Sequence, residues 1–189
     1  MHLRKEDYTV DSIPFRMARD LVREYHYARG SANTAIFRHG LFRKDDPLTP
    51  LGAAMWMPTT RVAAESVSED WKGVVCLSRL VIVPDMPTNS ASFFLSKSID
   101  MIRRDGRFHT LVTYADEGRG HTGAIYRATN WEYVGVNAGD QVFINPATGH
   151  QLARKTTGRS RTVAEMAELG YEKSGVTRKH KFVMHLRAA

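Results

Sequence analysis

"GVVCLSRLVIVPDMPTNSASFFLSKSIDMIRRDG", residues 73 to 106, reads as a strand that runs straight into a helix, and that junction decides the fold. "GVVCLSRLVIVP" is too short for a typical helix and too rich in valine, leucine and isoleucine for a sheet edge, so it predicts a central strand. "DMPTNSASFFLSKSIDMIRRDG" supplies the capping residues Thr88, Asn89 and Ser90. It adds apolar positions at Ala91, Leu95, Ile99 and Ile102, two terminal arginines, and Gly106 as a stop. Side chains alternate along a strand, so Ser78 and Arg79 are expected on opposite faces, one of them an awkward polar group to bury.

Working outward, Ile13, Met17, Leu21 and Tyr25 recur every four residues behind Ser12 and Pro14, predicting an amphipathic helix that ends near Tyr25 to Gly30. "TAIFRHGLF" and "PLGAAMWMP" predict a hairpin turning at "RKDDPLTP". Downstream, "FHTLVTYAD" is a strand, "HTGAIYRATN" a short helix and "WEYVGV" a strand. Strand, helix, strand, helix, strand implies parallel pairing and right-handed crossovers. "TVAEMAELG" carries a capping box in Thr162 and Glu165, and "KHKFVMHL" reads as a last strand. The expectation is an α/β (α+β) single domain over 1–189, a mixed central sheet flanked by helices.

The hydrophobic share of 42% and charged share of 25% are those of an ordinary globular protein. No run approaches the length needed to cross a bilayer, and "MHLRKEDYTV" has no apolar signal region, so no membrane is expected. A lone cysteine, Cys76, excludes an internal disulfide framework and a multi-cysteine zinc site, which points to a reducing, cytoplasmic setting. The formal charge of +7 is uneven: residues 151–189 hold nine Lys/Arg against three acids, leaving 18 of the 27 basic and 17 of the 20 acidic side chains in the first 150. Such a segment is either a solvated face or a surface for a polyanion, most simply nucleic acid. The glycine and hydroxyls of "RKTTGRSR" suggest a loop that orders on binding.

The order of elements is similar to the GNAT acyltransferase fold. With it, "YHYARG", "LSRL", "PTNSAS", "YADEGRGHTGAIYRATNWEYVG" and "RKHKFV", spread from about residue 20 to 185, together resemble the bacteriophage Mom family. The resemblance implies conversion of adenine in double-stranded phage DNA to its N6-carbamoylmethyl form, which shields the DNA from host restriction enzymes. It also implies an association with iron.

In that light His26, Tyr27, Ser78, Asp116 and Tyr126 are the candidate catalytic residues. His26 is the preferred general base or metal ligand, or else a helix C-terminal dipole partner. Tyr27 is a second polar group or a stacking surface. Asp116 lies where a strand of an open sheet stops, which is where ligands sit, or it is a turn aspartate. Tyr126 occupies the place where GNAT enzymes put the tyrosine that protonates a departing thiolate, or it is core. His26 and Asp116, with Tyr126 or His121, would offer ligands to Fe(II). GNAT enzymes hold the pyrophosphate of coenzyme A on a glycine-rich loop, and "PDMPTNSAS" has neither glycine nor a basic residue. Asn89, Ser90 and Ser92 could bind a carboxylate, an amide or a smaller anion of an acyl-coenzyme A or related small-molecule donor, or merely cap the helix. Trp131 and Trp56 are candidate platforms for an extruded base, or core. Arg154, Lys155, Arg159, Arg161, Arg178, Lys179 and Lys181 would grip phosphates. The other readings are an acyltransferase acting on another amine and a non-catalytic DNA-binding protein. The oligomeric state is open, a homodimer included.

Overall fold

A computed structural model describes residues 2–31, 33–137, 139–156 and 159–186, except for the side chains of 140, 153, 155, 156 and 159. In chain order the elements are β1 (Tyr8–Ser12), α1 (Phe15–Tyr25), β2 (Phe37–Arg43), β3 (Gly52–Pro58), α2 (Arg61–Glu65), β4 (Val74–Ile82) and α3 (Ser90–Asp105). Then come β5 (Thr110–Asp116), α4 (Ala124–Ala128), β6 (Glu132–Val136), β7 (Asp140–Ile144) and β8 (Gln151–Ala153). The chain closes with β9 (Lys155–Thr156), β10 (Arg159–Ser160), α5 (Val163–Glu168), β11 (Glu172–Thr177) and β12 (Lys179–His185). These form two compact units: unit 1 is Met1–Tyr114, Gly123–Tyr133 and Phe182–Ala189, and unit 2 is Ala115–Thr122 and Val134–Lys181.

The large sheet has the order β1-β2-β3-β4-β5-β12-β6. Pairing from β1 to β4 is antiparallel, and β4 to β5 is parallel, so the sheet is mixed as expected. The parallel pairing expected of all consecutive strands holds for β4 and β5 but not for β5 and β6, because β12 lies between them. Local pattern cannot show that a strand from the far end of the chain will insert there. β1 and α2 also escaped the sequence reading; the first is an edge strand with little alternation and the second is only five residues long.

α3 forms as its sequence predicts. Leu95, Ile99 and Ile102 are buried, each contributing about 1.5–3 kcal/mol of apolar burial. Gly106 ends the helix in the left-handed region (φ 79°), donating its N–H to Ile102 O at 3.3 Å. Its start differs from expectation. Asn89 sits at the cap in left-handed backbone (φ 72°) and its side chain accepts no helix N–H. Ser90 Oγ instead donates to Pro87 O (2.6 Å) and Ser92 Oγ to Asn89 O (3.1 Å), because a hydroxyl beside an upstream carbonyl can serve as donor as readily as acceptor.

Several polar side chains lie inside unit 1, His39, Ser98 and Thr113 among them. His39, 1% exposed, meets Ser98 Oγ through Nδ1 at 2.7 Å, and Trp56 Nε1 donates to the same oxygen at 2.8 Å. The indole can only donate, so the Ser98 oxygen accepts from it and keeps a second lone pair and its own proton for His39.

In unit 2, β11, β7 and β8 make an antiparallel sheet, with Phe143 and Met166 buried. The capping box is present: Thr162 N–H donates to Glu165 Oε2 (2.7 Å) and Glu165 N–H to Thr162 Oγ1 (3.1 Å). Within "RKTTGRSR", β9 and β10 pair as a short hairpin where a loop was expected. Among the described residues, no helix is long and apolar enough to cross a membrane.

Burial pushes the His39 pKa down from 6.5 to about 4. The unfolded chain therefore takes up a proton at higher pH than the folded one, and the stability present at neutral pH is lost as pH falls from 6.5 to about 4. That loss is roughly 3 kcal/mol. Denaturant unfolding at pH 7 and pH 4 should show this component in the wild type and lack it in His39→Gln.

Candidate active site

β4 is not a regular strand. Its register against β3 runs Met55↔Arg79 and then Trp56↔Leu77, so Ser78 is one residue too many on β4. Such a bulge bends the strand and re-aims its side chains. On the other edge, β4 pairs with β5 from Val74↔Thr110 to Leu77↔Thr113 and no further, although β4 continues to Ile82. The ladder between the two parallel strands thus opens at Ser78. Thr113 Oγ1 donates to Leu77 O (3.1 Å) where it ends.

The bulge overturns the expectation that Ser78 and Arg79 face opposite ways. Arg79 Nη1 donates to Ser78 O (2.7 Å) and Ser78 Oγ (3.1 Å), while its Nε donates to Gly30 O at 2.9 Å. Arg79 therefore ties the bulge to the segment after α1 that carries His26 and Tyr27. Sequence reasoning passed over this residue because regular alternation hides it.

His26 and Tyr27 stack, ring centroids 4.4 Å apart. Ala28 N–H donates to His26 Nδ1 (3.1 Å), so a neutral His26 carries its proton on Nε2 and presents a donor there. Tyr126 rises from α4, which starts after Gly123 in left-handed backbone (φ 77°). A Cβ at Gly123 would run into the Phe182 ring, so the turn that delivers Tyr126 needs glycine. The Tyr126 ring packs 5.2 Å from Phe182 and 5.7 Å from Trp131. Burial pushes its phenol pKa above 10; a hydrogen bond with Thr113 opposes this, and the charges that Cys76 and Tyr27 can carry add to the rise. Tyr27, Cys76, Thr113 and Tyr126 therefore share one neighbourhood at the end of the β4–β5 ladder. Cys76 and Thr113 had no signal in the sequence beyond their place on strands.

Trp131 and Trp56 do not fit the platform role. They are 5% and 0% exposed and stack on each other at 6.3 Å, so neither offers a face to a base. Asn89, Ser90 and Ser92 lie at the start of α3, with Ser90 buried and Asn89 Nδ2 3.1 Å from His2 Nδ1. Their hydroxyls are spent on backbone carbonyls, so the side chains do not form the cradle a diphosphate needs; the first-turn amides of the helix are the groups left for an anion.

Asp116 belongs to unit 2. Its Oδ1 accepts from Gly118 N–H (3.0 Å) and Thr177 Oγ1 (3.0 Å), and among the described residues Oδ2 has no hydrogen-bond partner. A Cβ at Gly118 would lie 2.7 Å from Thr177 Oγ1, so glycine is required for this turn. Asp116, Glu117, Arg119, Gln151, Thr177 and Arg178 line a cleft of about 590 Å³, within the range of small-molecule sites. His121 N–H donates to Asp116 O at 3.1 Å. Among the described residues, no group of three or more His, Cys, Asp or Glu side chains is placed to hold a metal ion. His26 and Asp116, the residues expected to bind iron, belong to different units.

Unit 2 also carries the cationic residues. Arg154, Lys179 and Lys181 are partly buried, Arg178 is exposed and Arg161 is half-buried; the side chains of Lys155 and Arg159 lie outside the described residues. Burial lowers the Lys181 pKa.

Removing the Arg79 clamp should free the segment after α1. In Arg79→Ala, hydrogen exchange of residues 26–31 should accelerate, and stability should fall by about 1–3 kcal/mol from the donors and acceptors left unpaired. Unchanged exchange there would show that the clamp holds nothing.

The chain can now be set beside known proteins. The profile of the Mom protein family matches residues 7–189. The methylcarbamoylase Mom of Escherichia phage Mu is 28% identical over 137 residues, covering 69% of this chain and 54% of that protein. The chain spans about half the length of that curated relative. Among solved structures, the ribosomal-protein-S18-alanine N-acetyltransferase of Escherichia coli superposes with a TM-score of 0.55 at 11% identity, covering 96% of each chain. The spermidine N-acetyltransferase of Vibrio cholerae, solved with CoA and spermine, gives 0.56 at 8%, covering 97% of this chain and 98% of that one. A GNAT-family structure from Desulfovibrio desulfuricans gives 0.51 at 11%, covering 95% and 98%. At these identities the likeness is one of fold, and the fold is that of the GNAT acetyltransferases. With a matching profile from Asp7 to the last residue, the chain belongs to the Mom protein family.

Proposed function

We propose that this protein is a transferase of the Mom type that modifies DNA, placing a carbamoylmethyl group on N6 of adenine and so shielding the DNA from restriction enzymes. The observation that carries the reading is the phenol of Tyr126, kept neutral by burial where the β4–β5 ladder opens at Ser78. A phenol held above its ordinary pKa is protonated at neutral pH, so it has a proton to give and no lone-pair anion to take one. In a transfer to an amine, a bond forms from nitrogen to the incoming carbon, the amine loses a proton, and the donor's leaving group gains one. Tyr126 supplies that last proton. The Ser78 oxygen, accepting from Arg79, has its own O–H to give to the donor. Nε2–H of His26 is a second such donor, and Tyr27, stacked on it, adds a phenol.

In unit 2, Asp116 offers Oδ2 as an acceptor to an amine that enters its own cleft, its other oxygen being held by Gly118 and Thr177. Support for DNA as partner comes from the family and from the cations at Arg154, Lys155, Arg159, Arg161, Arg178, Lys179 and Lys181. The donor is a small molecule, an acyl-coenzyme A or a related compound. The serine hydroxyls at the start of α3 do not cradle it, so its anionic part rests on backbone amides.

A second reading, an acyltransferase using coenzyme A on another amine, is favoured by the splayed β4 and β5. The two differ in product: attack on a thioester carbonyl leaves an amide, whereas carbamoylmethyl joins through CH2.

Mass spectrometry of nucleosides digested from DNA coexpressed with the protein tests the reading. One CONHCH2 unit added to deoxyadenosine is expected; an acyl mass on another amine supports the second reading, and unmodified nucleosides leave a DNA-binding protein without chemistry. Tyr126→Phe should lower the modified fraction by about 10²–10⁴ in rate, as for loss of a positioned acid. Asp116→Ala should abolish it with DNA binding retained. Full modification by either variant removes that residue from the mechanism.

A further inference from the structure

Unit 1 carries its own concentration of cations. A groove of about 1000 Å³ runs between β1, with the short turn before it, and α3. Lys5, Lys44, Lys97 and Arg104 line it, from three separate parts of the chain: the turn before β1, the end of β2 and the outer face of α3. Lys97 and Arg104 are seven residues apart and so share one helix face, roughly 10 Å from each other along the axis. All four side chains are exposed, and among the described residues none is within ion-pair distance of a carboxylate.

The acids bordering the groove are engaged elsewhere. Arg4, outside the lining, holds Glu6 at 3.1 Å, and Arg107, also outside it, holds Asp105 through two bonds of 2.6 and 3.0 Å. Only Asp11 offsets the four cations without such a partner. Phe93 and Met101 supply an apolar floor. Lys5, Phe93 and Lys97 border a second cleft, of about 500 Å³, that extends along α3 to Ser92 and Asn89. The two clefts thus follow α3 from Ser92 to Asp105, a length of roughly 20 Å.

Like charges brought together from separate segments repel, and the arrangement is relieved when a polyanion neutralises them. An elongated track with spaced cations and an apolar floor suits a sugar–phosphate backbone. Cations about 10 Å apart on α3 match about three phosphate steps at 3.4 Å of duplex axis per nucleotide of one strand.

We propose that this groove is a second DNA-binding track, gripping the backbone through Lys5, Lys44, Lys97 and Arg104 independently of the C-terminal segment. It rests on DNA being the partner of this protein, and a separate readout distinguishes the two claims.

The test is DNA binding by fluorescence anisotropy between 50 and 200 mM salt, using the full chain carrying Lys44→Gln, Lys97→Gln and Arg104→Gln together. A control carries Arg16→Gln and Arg61→Gln, exposed cations outside the groove. Loss of three phosphate contacts should cut the salt slope by about 2.7, so that the fall in affinity over that range shrinks about forty-fold. The control should keep the wild-type slope, and both should keep the wild-type melting temperature. An unchanged slope in the triple variant, or an equal change in the control, overturns the proposal. So does competition by ATP alone that removes the difference between triple variant and wild type, since it would mark a site for a free polyphosphate. A modified nucleoside with an unchanged slope sinks the track and leaves the function standing; a lost slope with no modified nucleoside does the reverse.

Discussion

One extra residue in β4 governs the site. Ser78 has no partner of its own on β3, and beyond it β4 keeps its pairs with β3 while losing those with β5. An uninterrupted parallel ladder would saturate the backbone groups of both strands and leave no entry between them. The bulge breaks that ladder, brings Ser78 against Arg79, and lets the guanidinium reach Gly30. Everything assigned to chemistry in unit 1 stands around this break: Thr113 at its end, Tyr126 near Thr113, and the stacked pair of His26 and Tyr27 on the segment held by Arg79.

The surrounding packing keeps the phenol protonated. Tyr126 is enclosed by Phe182 and Trp131, and Trp131 is in turn stacked on the fully buried Trp56. Aromatic rings desolvate the hydroxyl and cannot stabilise a phenolate, so the proton stays on. Unit 2 has a different character. Its Asp116 turn is built around Gly118, and the unit holds the basic residues from Arg154 to Lys181 that the charge distribution singled out.

Much of the framework was legible in the sequence. Leu95, Ile99, Ile102 and Gly106 spell out α3, and Thr162 with Glu165 spell out the start of α5, because these features are local. The place of β12 between β5 and β6 was not legible, since strand order depends on contacts between distant segments. The bulge was equally hidden, for alternation is the default reading of any strand and Ser78 breaks it only in register with β3. Trp131, within the motif, was open between a stacking surface and core, and proved to be core. His26 kept its place, but the tautomer that makes it a donor comes from a bond with Ala28 that spacing alone does not reveal.

The central claim is that Tyr126 is a neutral acid at the break in the ladder. Spectrophotometric titration of the phenols, taken as wild type minus Tyr126→Phe, measures this directly. The account predicts a tyrosine that stays protonated through pH 10 and ionises above it, with Thr113→Val pushing it higher still. A difference signal that ionises at or below pH 10 would contradict the account, because such a phenol is not desolvated by the rings around it.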